Sequence, residues 1–303
     1  MKKINFIAFL MILFTFFSIS CTNVDIANQT IPSFEELLEI NTYDNMLKNH
    51  VNFYVENLWH DKEDNSYNVE EMLFMRGEGG KVNYHIRRKN ITTNKESFGV
   101  SRIGNEWYYN SSDAQPMAVF ELGELSILDN YISVLPQFIL GDVIGKGYFE
   151  NDQIVYHASH ITEATEYYPA KRSDFIYYFN KETYFIEKVD ELEYNSEHKL
   201  AYTYCVEFNY DVDGEKIFPT TIYDSVYSSE KRIELEIIHN FNTEEQKAYS
   251  FFATTDMQVV MTVDFAVYEL YSDCEFTNLV SSLNAYDGQK KLTLYAKYSH
   301  EFL

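Results

Sequence analysis

From Tyr202 to Tyr210 the side chains alternate without a break: Tyr202, Tyr204, Val206, Phe208 and Tyr210 against Thr203, Cys205, Glu207 and Asn209. A period of two over nine residues fits an extended strand with one covered face and one wet face, and no helix presents such a pattern. The same period recurs at Val51-Phe53-Val55, Val69-Glu71-Leu73-Met75, Val82-Tyr84-Ile86 and Trp107-Tyr109, with Gly79-Gly80 and Gly104-Asn105 as turns. Asp152–Tyr168 reads as a long strand, and Asp174–Asn180 as one that turns at Lys181-Glu182 and returns antiparallel through Tyr194. The segments His198–Tyr210 and Phe218–Tyr227, joined by Asp211-Val212-Asp213-Gly214-Glu215, read as a further hairpin. With 26 Tyr and 23 Phe against 5 Pro and 11 Gly, the chain is ordered and strand-rich.

Helix is expected in two places. Ser33 with Glu36 three residues on forms a capping-box pattern, and Phe34, Leu37, Leu38, Met46 and Leu47 leave one apolar face, so an amphipathic helix is predicted over 33–49, interrupted near Asn41-Thr42. Leu122, Leu125, Leu128, Tyr131, Ile132 and Leu135 are spaced as on a helix, which predicts one or two short helices over 123–135.

At the N-terminus, Met1-Lys2-Lys3 leads an apolar run from Ile4 to Ser18 that ends in Ile19-Ser20-Cys21. The run is short for a membrane span, and a small residue precedes the cysteine. This segment resembles a bacterial lipoprotein signal, although Ser18 stands where that family usually carries Leu. The resemblance implies a signal peptide over 1–20, a mature chain beginning at acylated (palmitate-type) Cys21, a tether over 21–32, and attachment to the outer face of a bacterial cell membrane. A secretory signal cut near Ser20 and an uncleaved anchor helix are the alternatives. Loss of Lys2 and Lys3 takes the net charge from −23 to −25, which excludes nucleic acid as a partner and leaves a covalent tether as the membrane attachment.

The order of an N-terminal helix, serial strands and the hairpin Tyr177-Tyr178-Phe179-Asn180-Lys181-Glu182-Thr183-Tyr184-Phe185-Ile186 resembles the LolA/LolB-type lipoprotein-carrier fold. A later strand, Val206-Glu207-Phe208-Asn209-Tyr210, leads to a Gly turn and a Pro-initiated segment, Phe218-Pro219-Thr220-Thr221-Ile222, as in that family. The resemblance covers 33–240. It implies a mainly β (α+β) fold, a curved antiparallel sheet or half-barrel over 33–245 closed by helices, whose concave face accepts an acyl chain. Toward the C-terminus, Tyr268–Asp273, Glu275-Phe276-Thr277 and Leu292–Tyr298 are similar to the second half of an internalin-type B repeat, which implies a small β module over 246–303.

Cavity lining is expected from Trp107, Leu125, Leu128, Ile132, Phe138, Tyr156, Ile176 and Tyr178. His157-x-x-His160 has metal-like spacing, but three residues apart on a strand the two imidazoles point to opposite faces. Asp211-Val212-Asp213-Gly214 opens like a calcium loop yet has Ile222 where the closing Glu belongs. Cys205 and Cys274 are a candidate disulfide by compartment alone. No nucleophile elbow or phosphate loop is present, since Gly141–Gly147 lacks the Lys-Ser/Thr ending. The expectation is a non-enzymatic, cofactor-free, lipid-anchored binding protein for an amphiphile. The alternative is a surface-displayed structural or interaction lipoprotein with a filled core and an envelope-protein partner.

Overall fold

The structure is a computed structural model and describes residues 30–78, 81–122, 142–164, 169–264 and 266–301. The chain enters through two seven-residue helices, α1 (Phe34–Ile40) and α2 (Tyr43–Asn49). The break between them falls at Asn41-Thr42, where Thr42 accepts from the Asn45 amide and caps α2. Asn41 is buried, and its amide donates to the carbonyls of Leu37 (2.7 Å) and Tyr184 (2.9 Å) while its Oδ1 accepts from Ile186 N (2.7 Å). One asparagine therefore ends a helix and fastens it to a hairpin turn more than a hundred residues away.

Strands follow in series: β1 (Asn52–Asp61), β2 (Tyr67–Arg76), β3 (Val82–Asn90), β4 (Lys95–Ile103), β5 (Glu106–Ser111), β6 (Ala114–Leu122), β7 (Asp142–Val143), β8 (Tyr148–Glu150), β9 (Gln153–Thr162), β10 (Lys171–Asn180), β11 (Ile186–Tyr194) and β12 (Leu200–Tyr210). Two short helices, α3 (Gly214–Ile217) and α4 (Ile222–Ser228), precede β13 (Arg232–His239), β14 (Lys247–Thr254), β15 (Gln258–Val263), β16 (Ala266–Tyr271) and β17 (Lys291–Glu301). All the described strands belong to one sheet. Pairing is antiparallel from β9 through β10, β11, β12 and β1 to β6, and parallel only at β6–β15 and β13–β17. The protein is thus mainly β, an open curved sheet with few helices, as the sequence leads one to expect.

The two faces of the sheet are distinct. Phe34 of α1 lies 5.3 Å from the Tyr156 ring and 5.1 Å from Tyr177, and Leu37 and Met46 are fully buried. The same face carries the cross-strand row Phe53, Phe74, Tyr84, Arg102 and Trp107, with Phe53 stacked on Phe74 at 4.8 Å. Each such aromatic contributes roughly 1.5–3 kcal/mol through burial. The other face holds Tyr54, Leu73 and Phe218 under α3, and beside them a core of Tyr108, Phe120, Val226, Leu235, Phe251 and Leu294.

Three expectations need correction, on Phe218–Tyr227, on Asp211–Glu215 and on the cysteine pair. Phe218–Tyr227 is not a strand: Thr221 Oγ1 accepts from Asp224 N (3.1 Å) and Asp224 Oδ2 accepts from Thr221 N (3.0 Å), a full capping box that starts α4. Tyr223 and Tyr227, four residues apart, then stack at 4.3 Å. The Asp211–Glu215 segment is accordingly no hairpin turn; Asp211 binds His50 and the Val51 amide, and Asp213 caps α3. The expected boundary at 245/246 lies in the loop between the paired strands β13 and β14. Cys205 and Cys274 are free thiols, one in mid-β12 and the other in the loop after β16, so they form no disulfide. The helical insert predicted over 123–135 lies outside the described residues, as do 1–29.

Candidate functional site: a groove across five strands

On the face turned away from α1 and α2, a groove of about 980 Å³ crosses β1, β12, β11, β10 and β9. Strand register builds it. One row of facing residues runs Leu58, Cys205, Asp190, Ile176, His157, and the next runs His60, Thr203, Leu192, Asp174, Ser159. Antiparallel partners point to the same face, so residues scattered over more than a hundred positions converge in two lines. Leu58 and Ile176 give an apolar floor, while Leu192, Ile144 and Tyr67 stand at the rim with much of their surface open. Tyr67 stacks on His60 at 4.0 Å.

The polar groups of the groove are largely paired. Asp174 accepts from Arg172 Nη2 (2.6 Å) and Ser159 Oγ (2.8 Å), and Asp190 meets Lys188 Nζ at 2.9 Å. His157 Nε2 lies 3.0 Å from the Tyr148 hydroxyl, and His60 Nε2 is 2.9 Å from Asn65 Oδ1. Burial, reinforced by Asp190 and Glu207, pushes the Cys205 thiol up to about 11. A thiol so placed is protonated at neutral pH and a poor nucleophile. Glu191 also borders the groove; burial holds its carboxyl above the usual carboxylate range, against a hydrogen bond from Ser173. Among the described residues no group of three or more His, Cys, Asp or Glu side chains is arranged to hold a metal ion. His157 and His160 sit three apart on β9, with His157 in the groove and hydrogen-bonded to tyrosine.

Of the lining residues expected from sequence, the four that are described lie on two faces of the sheet. Trp107 and Tyr156 are buried on the helix-covered face, Trp107 donating to Glu121 Oε2 (3.1 Å) and Tyr156 packing on Phe34. Ile176 lines the groove on the opposite face, and Tyr178 shares that face one step along β10, under Lys188 at 5.5 Å. Leu125, Leu128, Ile132 and Phe138 lie outside the described residues. On the helix-covered face Phe34 packs on Tyr156 and Tyr177, and the described groove lies on the other face. Leu58, His60, Leu192 and Thr203 were missed. Their signal was register, which emerges only when β1 is paired with β12 and β12 with β11.

No family model matches this chain. No curated protein matches it either. Among solved structures, LprF from Mycobacterium bovis is similar to 61% of this chain over 96% of its own length, with 6% identity and a TM-score of 0.33. The MucA/MucB complex of Pseudomonas aeruginosa is matched over 78% of each chain at 10% identity and a TM-score of 0.33. A LolA superfamily protein from Nitrosomonas europaea is matched over 64% of this chain and all of its own, at 11% identity and a TM-score of 0.26.

Proposed function

We propose that this chain is a lipid-anchored extracytoplasmic binding protein that holds an acyl chain or another amphiphile without chemical turnover. The observation that carries the reading is the groove: about 980 Å³ over an apolar floor of Leu58 and Ile176 with Leu192 at its edge, at the upper end of the size range of small-molecule sites. Acylated Cys21 and the tether over 21–32 hold the body at the bacterial cell membrane, and the mature net charge of −25 leaves the tether, not surface charge, to keep it there. The amphiphile sits in the groove and not beneath the helices.

Two results test this. Cys21→Ala is expected to move the protein from the membrane fraction to the soluble fraction; retention at the membrane would mean that the apolar leader is an uncleaved anchor. Ile176→Glu places a charge in the floor and is expected to weaken uptake of the neutral probe N-phenyl-1-naphthylamine at least tenfold, read by its fluorescence. Unchanged uptake would remove the groove as the site.

A second reading, a surface-displayed interaction lipoprotein with a filled body and an envelope-protein partner, is favoured by the dense packing of Phe34, Leu37, Met46 and Tyr177 on the helix-covered face. An anchored, folded protein that takes up no amphiphile would support it.

A further inference from the structure

We infer that the amphiphile taken by this groove is anionic, with its carboxylate or phosphate headgroup at the end marked by Lys62 and Arg172; this rests on the groove being the amphiphile site. The groove is polarised along the strands. Past the row of His60, Thr203, Leu192, Asp174 and Ser159, in the direction of Lys62, the flanking strands contribute Lys62 from the end of β1 and Arg172 from β10. Past the row of Leu58 and Ile176, in the other direction, Glu56 and Glu207 stand opposite each other across β1–β12, with Lys188 opposite Glu207 on β11 and already engaged by Asp190. One end of the apolar floor therefore carries Lys62 and Arg172, and the other carries two carboxylates beside a lysine that Asp190 already holds.

What is already paired decides which charges remain for a ligand. Asp174 is held by Arg172 and Ser159, and Asp190 by Lys188. Lys62 Nζ donates to His60 Nδ1 at 2.6 Å and meets no carboxylate among the described residues. That contact fixes the His60 proton on Nε2, where it is donated to Asn65. The Arg172 guanidinium carbon lies 4.6 Å from the Tyr194 ring centroid, and with bonds to Asp174 and Tyr194 the five-donor fork still has N–H groups to give. Thr203 shares this face one row inward, beside His60 and Leu192. The end of the groove thus offers donors and positive charge to an acceptor-rich anion. The charge of −23 on the whole chain opposes any anion at long range. Screening confines that opposition to about 8 Å at physiological ionic strength, so the local charges decide the headgroup.

The test is displacement of N-phenyl-1-naphthylamine from the full-length protein by four twelve-carbon amphiphiles below their micelle concentrations: dodecanoate, dodecyl phosphate, dodecanol and dodecyltrimethylammonium. The two anions are expected to displace the probe at concentrations at least tenfold lower than the alcohol. Lys62→Glu is expected to erase that advantage, and the same charge change at exposed Lys231, away from the groove, to preserve it. A preference for dodecyl phosphate over dodecanoate would point to a phospholipid-type source, and the reverse to a free fatty acid. Equal potency of anion and alcohol, or tighter binding of the cation, would overturn the headgroup assignment and leave the groove as an amphiphile site. Failure to bind the probe and all four amphiphiles would overturn both.

Discussion

Replacing Glu121 with leucine is expected to destabilise the protein by about 3–5 kcal/mol, a loss visible as a large drop in the urea midpoint at neutral pH. Arg102 is fully buried and Glu121 nearly so, with Nη2 and Oε2 3.4 Å apart. The Trp107 indole donates to the same carboxylate, and the guanidinium lies 5.0 Å over the Trp107 ring. Removing the carboxylate takes an oppositely charged neighbour from a fully buried cation, and that share of the cation's desolvation cost is then no longer offset. The double substitution Arg102→Met with Glu121→Leu is expected to recover most of the loss, because an apolar pair of similar volume has no charge to desolvate. If the single change costs less than 1 kcal/mol, the pair is reached by solvent.

The second large effect is on acid stability. His85 is buried against Phe218 and pairs with Ser101 Oγ at 3.0 Å. Burial drops its pKa to about 4, and nearby Asp224 opposes that drop only in part. An unfolded chain protonates this imidazole near 6.5. Between about pH 6.5 and 4 the unfolded state therefore binds more protons than the folded state, and stability falls as the pH falls. The contribution is complete above pH 6.5 and is lost by about pH 4, on the order of 3 kcal/mol in all. His85→Gln keeps a partner for Ser101 and removes the titration, so its unfolding free energy is expected to fall less steeply from pH 7 to pH 4.5 than that of the parent. Parallel curves would show that His85 is hydrated when folded.

How much of this could be read in the sequence depended on whether a signal was local. The β10–β11 hairpin was legible because the period of two ran up to a turn in which Asn180 Oδ1 accepts from the amides of Glu182 and Thr183. The helix break at Asn41-Thr42 was legible for the same reason. Phe218–Tyr227 misled because Phe, Tyr, Ile and Thr all favour strands, and propensity was weighed above a capping box lying in plain view at Thr221 and Asp224. The groove was not legible at all, since Leu58, Thr203 and Leu192 share a face only through the pairing of three strands. Ile176 was named for its apolarity alone, and Trp107, chosen on the same ground, lies on the opposite face.

The two parallel pairings set the order in which the chain can become itself. The β6 strand presents Phe120 to a core that β13 and β14 complete, and it is flanked by β15, while Tyr108 donates to the carbonyl of Phe252, 144 residues later. Parallel closure between distant segments forms late and slowly. A chain ending before β14 would display Tyr108 and Phe120 to water beside an unpaired strand, a template for aggregation and not a smaller working protein. Truncation from the C-terminus therefore yields no separable half, and folding has to wait for the last strands to arrive.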